Sequence, residues 1–116
     1  MAKPVGPYTP VVRAGDWLSV SGQVGIADGK LVDGGTAGQL RQALANLETQ
    51  LKSVGATKED VVKTTVFLRH MSDYPIMNEI YMEFFGEHRP ARSAVGVAAL
   101  PIEALIEIEA WAYTGS

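Results

Sequence analysis

The chain has 116 residues, of which 47% are hydrophobic, with a formal net charge of −3 and no cysteine. This length and apolar content predict one folded domain with its own core, small enough to gain stability by associating with other copies. The acidic balance argues against a nucleic-acid-binding protein, and the lack of cysteine excludes disulfides, thiolate catalysis and zinc–cysteine sites.

The sequence shows no recognisable targeting signal. The start of the sequence lacks an apolar signal core, and no stretch approaches the ~20 apolar residues of a membrane span. We therefore expect a soluble, cytoplasmic protein with no membrane partner.

The first third of the chain predicts a hairpin, a second turn and a short strand. Residues 11–13 and 17–21 are rich in residues that favour strands, and the Ala14-Gly15-Asp16 segment between them is typical of a turn. A second turn at Asp28-Gly29 precedes a short strand over residues 30–32.

A helix follows, with clear signals at both ends. Thr36 is predicted to cap its N-terminus, with Gln39 in the capping-box position, and Gly55 to end it. One apolar stripe runs along it at spacings of four and three, formed by Leu40, Leu44, Leu47, Leu51 and Val54. The helix should cover one face of a sheet.

The second half alternates strand and helix. Residues 61–68 are β-branched and aromatic, which favours a strand. Ser72 or Asp73 then caps a second helix with Pro75 in its first turn, and Gly86 ends it. Its stripe is Met77, Ile80, Tyr81 and Phe84, and we expect Phe84 and Trp17 to be core aromatics. The last two strands are predicted over residues 93–97 and 105–113.

The final strand has two apolar faces. One contains Ile106, Ile108, Ala110 and Ala112, which the helices can cover. The other combines two carboxylates with large apolar side chains: Leu105, Glu107, Glu109, Trp111 and Tyr113. Because that second face is too apolar for simple solvation, we expect a homo-oligomer with sites between chains.

Arg92 and Glu107 are the residues most suggestive of chemistry. Arg92 follows a proline at the start of a strand, and its planar guanidinium suits two-pronged recognition of a carboxylate. Glu107 lies in the isoleucine-rich final strand, where a carboxylate could order a water molecule. The pair suggests chemistry on a small carboxylic acid without a metal or a covalent nucleophile.

Several segments together resemble the RidA (YjgF) family of imine and enamine deaminases. They occur in family order over nearly the whole chain: Gly6-Pro7-Tyr8, Val20-Ser21-Gly22-Gln23, residues 41–47, residues 61–68, Asn78-Glu79-Ile80-Tyr81, Phe84-Phe85, Arg89-Pro90-Ala91-Arg92-Ser93, Leu100-Pro101 and residues 106–110. No one segment is diagnostic, whereas the set is specific.

The resemblance implies a chorismate-mutase-like α+β fold in a homotrimer, with clefts between neighbouring subunits. It also implies hydrolysis of reactive enamines and imines, such as 2-aminoacrylate, to 2-keto acids and ammonia. Pyridoxal-phosphate dehydratases release these intermediates, and the family members themselves use no cofactor.

The resemblance also assigns residues. It implies that Arg92 grips the substrate carboxylate and that Glu107 holds the attacking water. Further cleft residues, some from the neighbouring chain, are Tyr8, Ser21 and Asn78, with the backbone at Ala94 contacting substrate.

Each assignment has a structural alternative. Arg92 could be a solvated arginine at a strand end, and Glu109 shares the face of Glu107, so periodicity does not choose between the two carboxylates. Local structural roles remain open for Tyr8, Ser21 and Asn78. His70 and His88 lack metal-ligand spacing, so we expect them to be surface or loop histidines.

Two other functions remain open. The chain could be a related hydrolase or lyase acting on another small carbonyl acid, or a non-enzymatic trimer that binds a small ligand. RNA cleavage has no support in the sequence, because the net charge is negative and the ten Lys and Arg residues are scattered.

Overall fold

A computed structural model describes residues 6–115. In chain order the elements are β1 (Val11–Ala14), β2 (Trp17–Val24), β3 (Ile26–Ala27), β4 (Lys30–Leu31), α1 (Gly35–Ser53), β5 (Val61–Leu68), α2 (Tyr74–Phe85), β6 (Ala91–Gly96) and β7 (Ile106–Tyr113). Short 3₁₀ turns cover Lys58–Asp60, Met71–Asp73 and Pro101–Glu103. In the described chain, no helix is long and apolar enough to cross a membrane.

The main sheet has five strands in the order β1-β2-β7-β5-β6. All neighbours are antiparallel except β5 and β6, which are parallel and connected through α2. β3 and β4 form a separate hairpin. The predicted α+β architecture, a sheet with two helices against one face, is confirmed.

Both predicted turns are present, and each connects the two strands of a hairpin. Ala14 pairs with Trp17 across a two-residue turn in which Gly15 has a φ of 62°. In the second hairpin, Asp28 and Gly29 have φ values of 54° and 81°, the left-handed pair that matches the twist of adjoining strands.

The core lies between the sheet and α1. The four predicted leucines of α1 and the inward residues of β7 are all at most 1% exposed: Leu40, Leu44, Leu47, Leu51, Ile106, Ile108, Ala110 and Ala112. Both the helical stripe and the alternation along β7 are therefore confirmed.

The predicted capping box of α1 is wrong. The helix begins at Gly35, and neither Thr36 nor Gln39 caps it. Thr36 Oγ1 instead donates to Asp73 Oδ2 at 2.6 Å, and Gln39 Oε1 accepts the backbone N–H of Leu105 at 2.8 Å. Both side chains are buried, so they satisfy partners from other elements rather than their own helix end.

The second helix starts close to its predicted position. It begins at Tyr74, immediately after Asp73, with Pro75 in its first turn, and Gly86 with a φ of 64° ends it. Asp73 precedes the helix without making a side-chain capping bond, because its carboxylate accepts from Thr36.

The prediction that Trp17 is a core aromatic is wrong. Its side chain is 40% exposed on the sheet face away from the helices, which we call the outer face. There its ring contacts Trp111 and Tyr113, with centroids 6.4 and 5.0 Å away. Phe84 is partly buried against the core, as predicted. The outer face therefore presents an exposed aromatic cluster of Trp17, Trp111 and Tyr113.

Candidate active site

A bulge in β2 determines the surroundings of Glu107. The pairing of β2 with β7 is regular up to Val20 and resumes at Gln23, so Ser21 and Gly22 lie in the irregular segment. The Glu107 side chain lies against Gly22, where an added Cβ would be 2.6 Å from Glu107 Cδ. Glycine at this position gives the carboxylate its space.

Glu107 opens into a cavity of about 460 Å³ on the outer face. The predicted residues Tyr8 and Ser21 line the same cavity. Ser21 Oγ donates to the carbonyl of Thr9 at 2.7 Å, which ties the segment containing Tyr8 to the bulge. The other lining residues are Ser19, Val20, Gly22, Val24, Pro101, Glu109, Ala110 and Trp111.

The protonation of Glu107 is shifted by its environment. Burial raises the pKa of its carboxyl above the ordinary value, and the negative charge of Glu109 on the same face raises it further. A carboxyl group with a raised pKa is better matched to proton transfer near neutrality than an ordinary solvated glutamate.

Arg92 has entirely different neighbours. Its side chain extends from β6 towards α2, where Nη2 donates to Tyr74 Oη at 2.9 Å and Nη1 approaches Met77 Sδ at 3.5 Å. The guanidinium carbon is 5.5 Å from the ring centroid of Tyr74 and 5.0 Å from that of Tyr81. Because Tyr74, Met77 and Tyr81 are spaced by three and four residues, they share one side of α2. We call these three residues the Arg92 cradle.

The Arg92 cradle is electrically neutral. The Tyr81 hydroxyl shares a 2.7 Å hydrogen bond with Thr64. Burial raises the pKa of Tyr81, and the opposing effects of Thr64 and Arg92 are smaller. Over residues 6–115 Arg92 has no carboxylate within salt-bridge distance; the ion pair found there joins Arg41 and Glu83 at 3.8 Å. Arg92 is thus a partly buried cation whose charge is not neutralised by the described chain.

Arg92 and Glu107 are not brought together within one chain. Glu107 pairs with Phe67, and Phe67 pairs with Val95, three residues after Arg92. Two strand spacings of about 4.8 Å and three residues of about 3.3 Å put the two Cα atoms roughly 14 Å apart. In addition, Glu107 faces the outer cavity whereas Arg92 contacts α2 on the helix side.

The remaining predicted residues lie on the Arg92 side. Asn78 is partly buried on α2, four residues after Tyr74 and three before Tyr81, hence on the side of the helix nearest Arg92. Ala94 pairs with Val66 and packs against the core. The predicted site residues therefore form two groups: Glu107, Tyr8 and Ser21 on the outer face, and Arg92, Asn78 and Ala94 near α2.

Two features of this arrangement were not predicted. Met77 and Tyr81 were identified only as a core stripe, and Tyr74 not at all, although the spacing from Tyr74 through Met77 to Tyr81 is helical. The bulge at Gly22 is the second feature, and a glycine inside a strand is a known signal for a bulge. Among the described residues, no cluster of His, Asp and Glu has a geometry suited to holding a metal ion.

Comparison with known proteins decides the family. Residues 1–114 match the family model described as Endoribonuclease L-PSP. The chain belongs to this family. It is 47% identical to a RutC family protein of Pyrococcus horikoshii, covering 96% of this chain and 90% of that protein. It is 44% identical to the human 2-iminobutanoate/2-iminopropanoate deaminase, covering 96% and 82% of the two chains.

Solved structures of similar proteins have the same fold. RidA from an Antarctic Psychrobacter superposes with a TM-score of 0.93 at 35% identity, covering 96% of this chain and 91% of that one. Escherichia coli TdcF with bound serine superposes with a TM-score of 0.91 at 34% identity, covering 97% and 91%. The predicted RidA resemblance and its fold are therefore confirmed.

Proposed function

We propose that this protein is an enzyme that hydrolyses imines and enamines of small 2-keto acids, such as 2-aminoacrylate, to the keto acid and ammonia. The observation that carries the proposal is the unneutralised Arg92 cation in its neutral cradle, in a chain 44% identical to a human protein named as a 2-iminobutanoate/2-iminopropanoate deaminase. Such a cation is suited to binding an anionic ligand.

Arg92 binds the substrate carboxylate in this mechanism. A guanidinium fork can donate two parallel hydrogen bonds to a carboxylate, and a charge-assisted hydrogen bond is worth about 1.5–3 kcal/mol. Partial burial against aromatic rings reduces competition from water. TdcF with bound serine is a precedent for a small carboxylic acid ligand in this fold.

Glu107 positions and activates the water. The water adds to the imine carbon while Glu107 accepts one of its protons and passes it to the nitrogen, which gives a carbinolamine. Glu107 then moves the remaining hydroxyl proton to the same nitrogen as the C=O bond forms, the C–N bond breaks and ammonia leaves. An enamine such as 2-aminoacrylate first takes up a proton on carbon and loses one from nitrogen to become the imine. A carboxyl with a raised pKa suits these successive proton transfers. An imine already hydrolyses in water, so orientation and proton transfer are sufficient catalysis.

The complete site forms between chains in this proposal. Because Arg92 and Glu107 point to opposite sides of one sheet, Arg92 of one subunit meets Glu107 of a neighbour. The exposed aromatic cluster of Trp17, Trp111 and Tyr113 supports association through the outer face. We propose a homotrimer with three such clefts.

The other predicted residues complete the cleft. Tyr8 and Ser21 contact substrate from the Glu107 side, and Asn78 and the backbone at Ala94 from the Arg92 side. The reaction proceeds in the cytoplasm without a cofactor, and pyridoxal-phosphate dehydratases that release enamines supply its substrates.

The test generates imines with an amino-acid oxidase and traps them with semicarbazide. Wild-type protein should protect several imines from trapping, and Arg92→Ala should abolish this protection. Arg89→Ala is the matched control, because Arg89 is an exposed arginine three residues earlier that does not contact the Arg92 cradle. If the wild type protects no imine in the panel, the deaminase proposal is wrong.

RNA cleavage, which the family description names, is the less favoured reading. The net charge of −3 and the two glutamates lining the cavity would repel a phosphate backbone. Cleavage by nuclease-depleted protein that is lost in Arg92→Ala would revive it.

A further inference from the structure

We propose that Tyr74 is a positioning residue that holds the Arg92 guanidinium ready for the substrate carboxylate. The proposal rests on the function above, because it assigns Tyr74 a role in the same binding step. Tyr74 itself does not take part in the chemistry, which occurs at Glu107 on the other subunit.

The contact between the two side chains is specific. Tyr74 is the first residue of α2, followed by Pro75, so its backbone position is fixed by the helix start. Its side chain is 38% exposed, and a hydroxyl at such a position commonly bonds to water. Here the hydroxyl accepts a 2.9 Å hydrogen bond from Arg92 Nη2.

This bond leaves the guanidinium able to bind a carboxylate. A guanidinium has five N–H donors, two on each terminal nitrogen. Tyr74 uses one donor on Nη2 and Met77 one donor on Nη1, so each terminal nitrogen keeps another. Tyr74 therefore orients the fork without occupying it.

The two tyrosines of the Arg92 cradle act differently. The Tyr81 hydroxyl is committed to Thr64, so Tyr81 meets Arg92 only through its ring. Contact with a ring face restrains the distance of the guanidinium from the ring, but it leaves the guanidinium free to rotate within its own plane. The Tyr74 hydroxyl supplies a directional bond and thereby selects one rotation.

The consequence for binding is entropic. Arginine has many rotamers, and a flexible side chain loses that freedom when a ligand fixes it. Because Tyr74 fixes the guanidinium beforehand, less freedom is lost when the carboxylate binds. Removing the hydroxyl should weaken carboxylate binding while leaving the chemical step unchanged.

The experiment compares wild type with Tyr74→Phe in imine hydrolysis and in calorimetric binding of 2-oxobutanoate, the keto acid formed from 2-iminobutanoate. We expect KM and the 2-oxobutanoate Kd to rise about five- to tenfold, the order expected when binding has to immobilise one more rotamer-rich side chain. The value of kcat and the melting temperature should stay close to wild type. The control is Arg89→Ala, which removes an exposed arginine three residues before Arg92 and should leave the Kd unchanged.

Three results would overturn the proposal: an unchanged KM and Kd, tighter binding because the hydroxyl competes with the carboxylate, or a fall in kcat alone. Arg92→Ala, measured alongside, separates this failure from failure of the function. If Arg92→Ala loses activity and binding while Tyr74→Phe does not, only the role of Tyr74 is wrong. If wild type hydrolyses no imine, the function is wrong, and the binding measurement still tests the role of Tyr74. Unaltered 2-oxobutanoate binding in both Tyr74→Phe and Arg92→Ala would then reject that role too.

Discussion

The surroundings of Arg92 and Glu107 differ in almost every respect. Arg92 is a cation held by neutral aromatic and sulfur groups beside α2, with no carboxylate of the described chain to neutralise it. Glu107 is a carboxyl beside a second carboxyl, in an open cavity on the opposite face, with its pKa raised. The first environment preserves a charge for an anionic ligand, and the second keeps a proton exchangeable. The Arg92 environment is thus suited to binding a substrate, and the Glu107 environment to transferring a proton.

The largest expected effect is on the chemical step and not on substrate binding. Glu107→Gln keeps the size of the side chain but removes the base, so we expect kcat to fall by about 10²-fold or more with little change in KM. Glu109→Gln, on the same face of β7, should lower kcat by less than tenfold. Steady-state kinetics on both variants measures this. Equal losses from the two would contradict the assignment of Glu107 as the base.

A smaller loss should come from filling the space beside Glu107. An added Cβ in Gly22→Ala would be 2.6 Å from Glu107 Cδ, so the carboxylate has to move. We expect kcat to fall about tenfold, since small displacements of catalytic groups are costly. In the Glu107→Gln background the same change should add almost nothing, and a full additional tenfold loss would show that Gly22 acts through another residue.

The Arg92 side offers a stability test. Thr64 is fully buried, and Thr64→Val leaves the Tyr81 hydroxyl without its hydrogen-bond partner. We expect a loss of about 1–3 kcal/mol in the free energy of unfolding, measured by urea denaturation. Tyr81→Phe in the Thr64→Val background should recover part of this loss. No recovery would mean that the hydroxyl finds another partner.

The smallest expected effect is on the pH dependence of the free energy of unfolding. It is measured in the Arg92→Ala background, so that Arg92 of a neighbouring subunit does not affect the pKa of Glu107. The pKa of Glu107 is higher in the folded than in the unfolded chain, so the folded state binds its proton more tightly. Its contribution to the free energy of unfolding is thus most favourable below the unfolded pKa. That contribution is lost as pH rises through the interval up to the folded pKa.

Adding Glu107→Gln to that background should remove this loss. We expect the double variant to gain stability relative to Arg92→Ala alone as pH rises from acidic to weakly alkaline, by urea denaturation at a series of pH values. A stability difference that does not change with pH would show that the pKa of Glu107 is unshifted.

Local patterns predicted most of the fold. The alternation of β7, the leucine stripe of α1 and the Asp28-Gly29 turn each depend on neighbouring residues, and each is confirmed. The capping box failed because the partners of Thr36 and Gln39 are 37 and 66 residues away. Such distant contacts leave no trace in a local spacing.

The same limit applies to the site. Period-two alternation puts Glu107 and Glu109 on one face, and only the resemblance to RidA distinguished them. What separates them physically is the β2 bulge at Gly22, which depends on pairing between distant strands. That Arg92 and Glu107 face opposite sides also depends on the sheet order, which the sequence does not reveal.

Whether two chains complete the site is decided by complementation between inactive variants. Arg92→Ala and Glu107→Gln are each purified, mixed in equal amounts, dissociated and reassembled. In randomly mixed trimers about a quarter of the clefts combine an intact Arg92 with an intact Glu107 from a neighbour, so we predict recovery of about a quarter of wild-type imine hydrolysis. Activity that stays at the level of the separate variants, despite verified mixing of subunits, would show that the site is not shared between two chains.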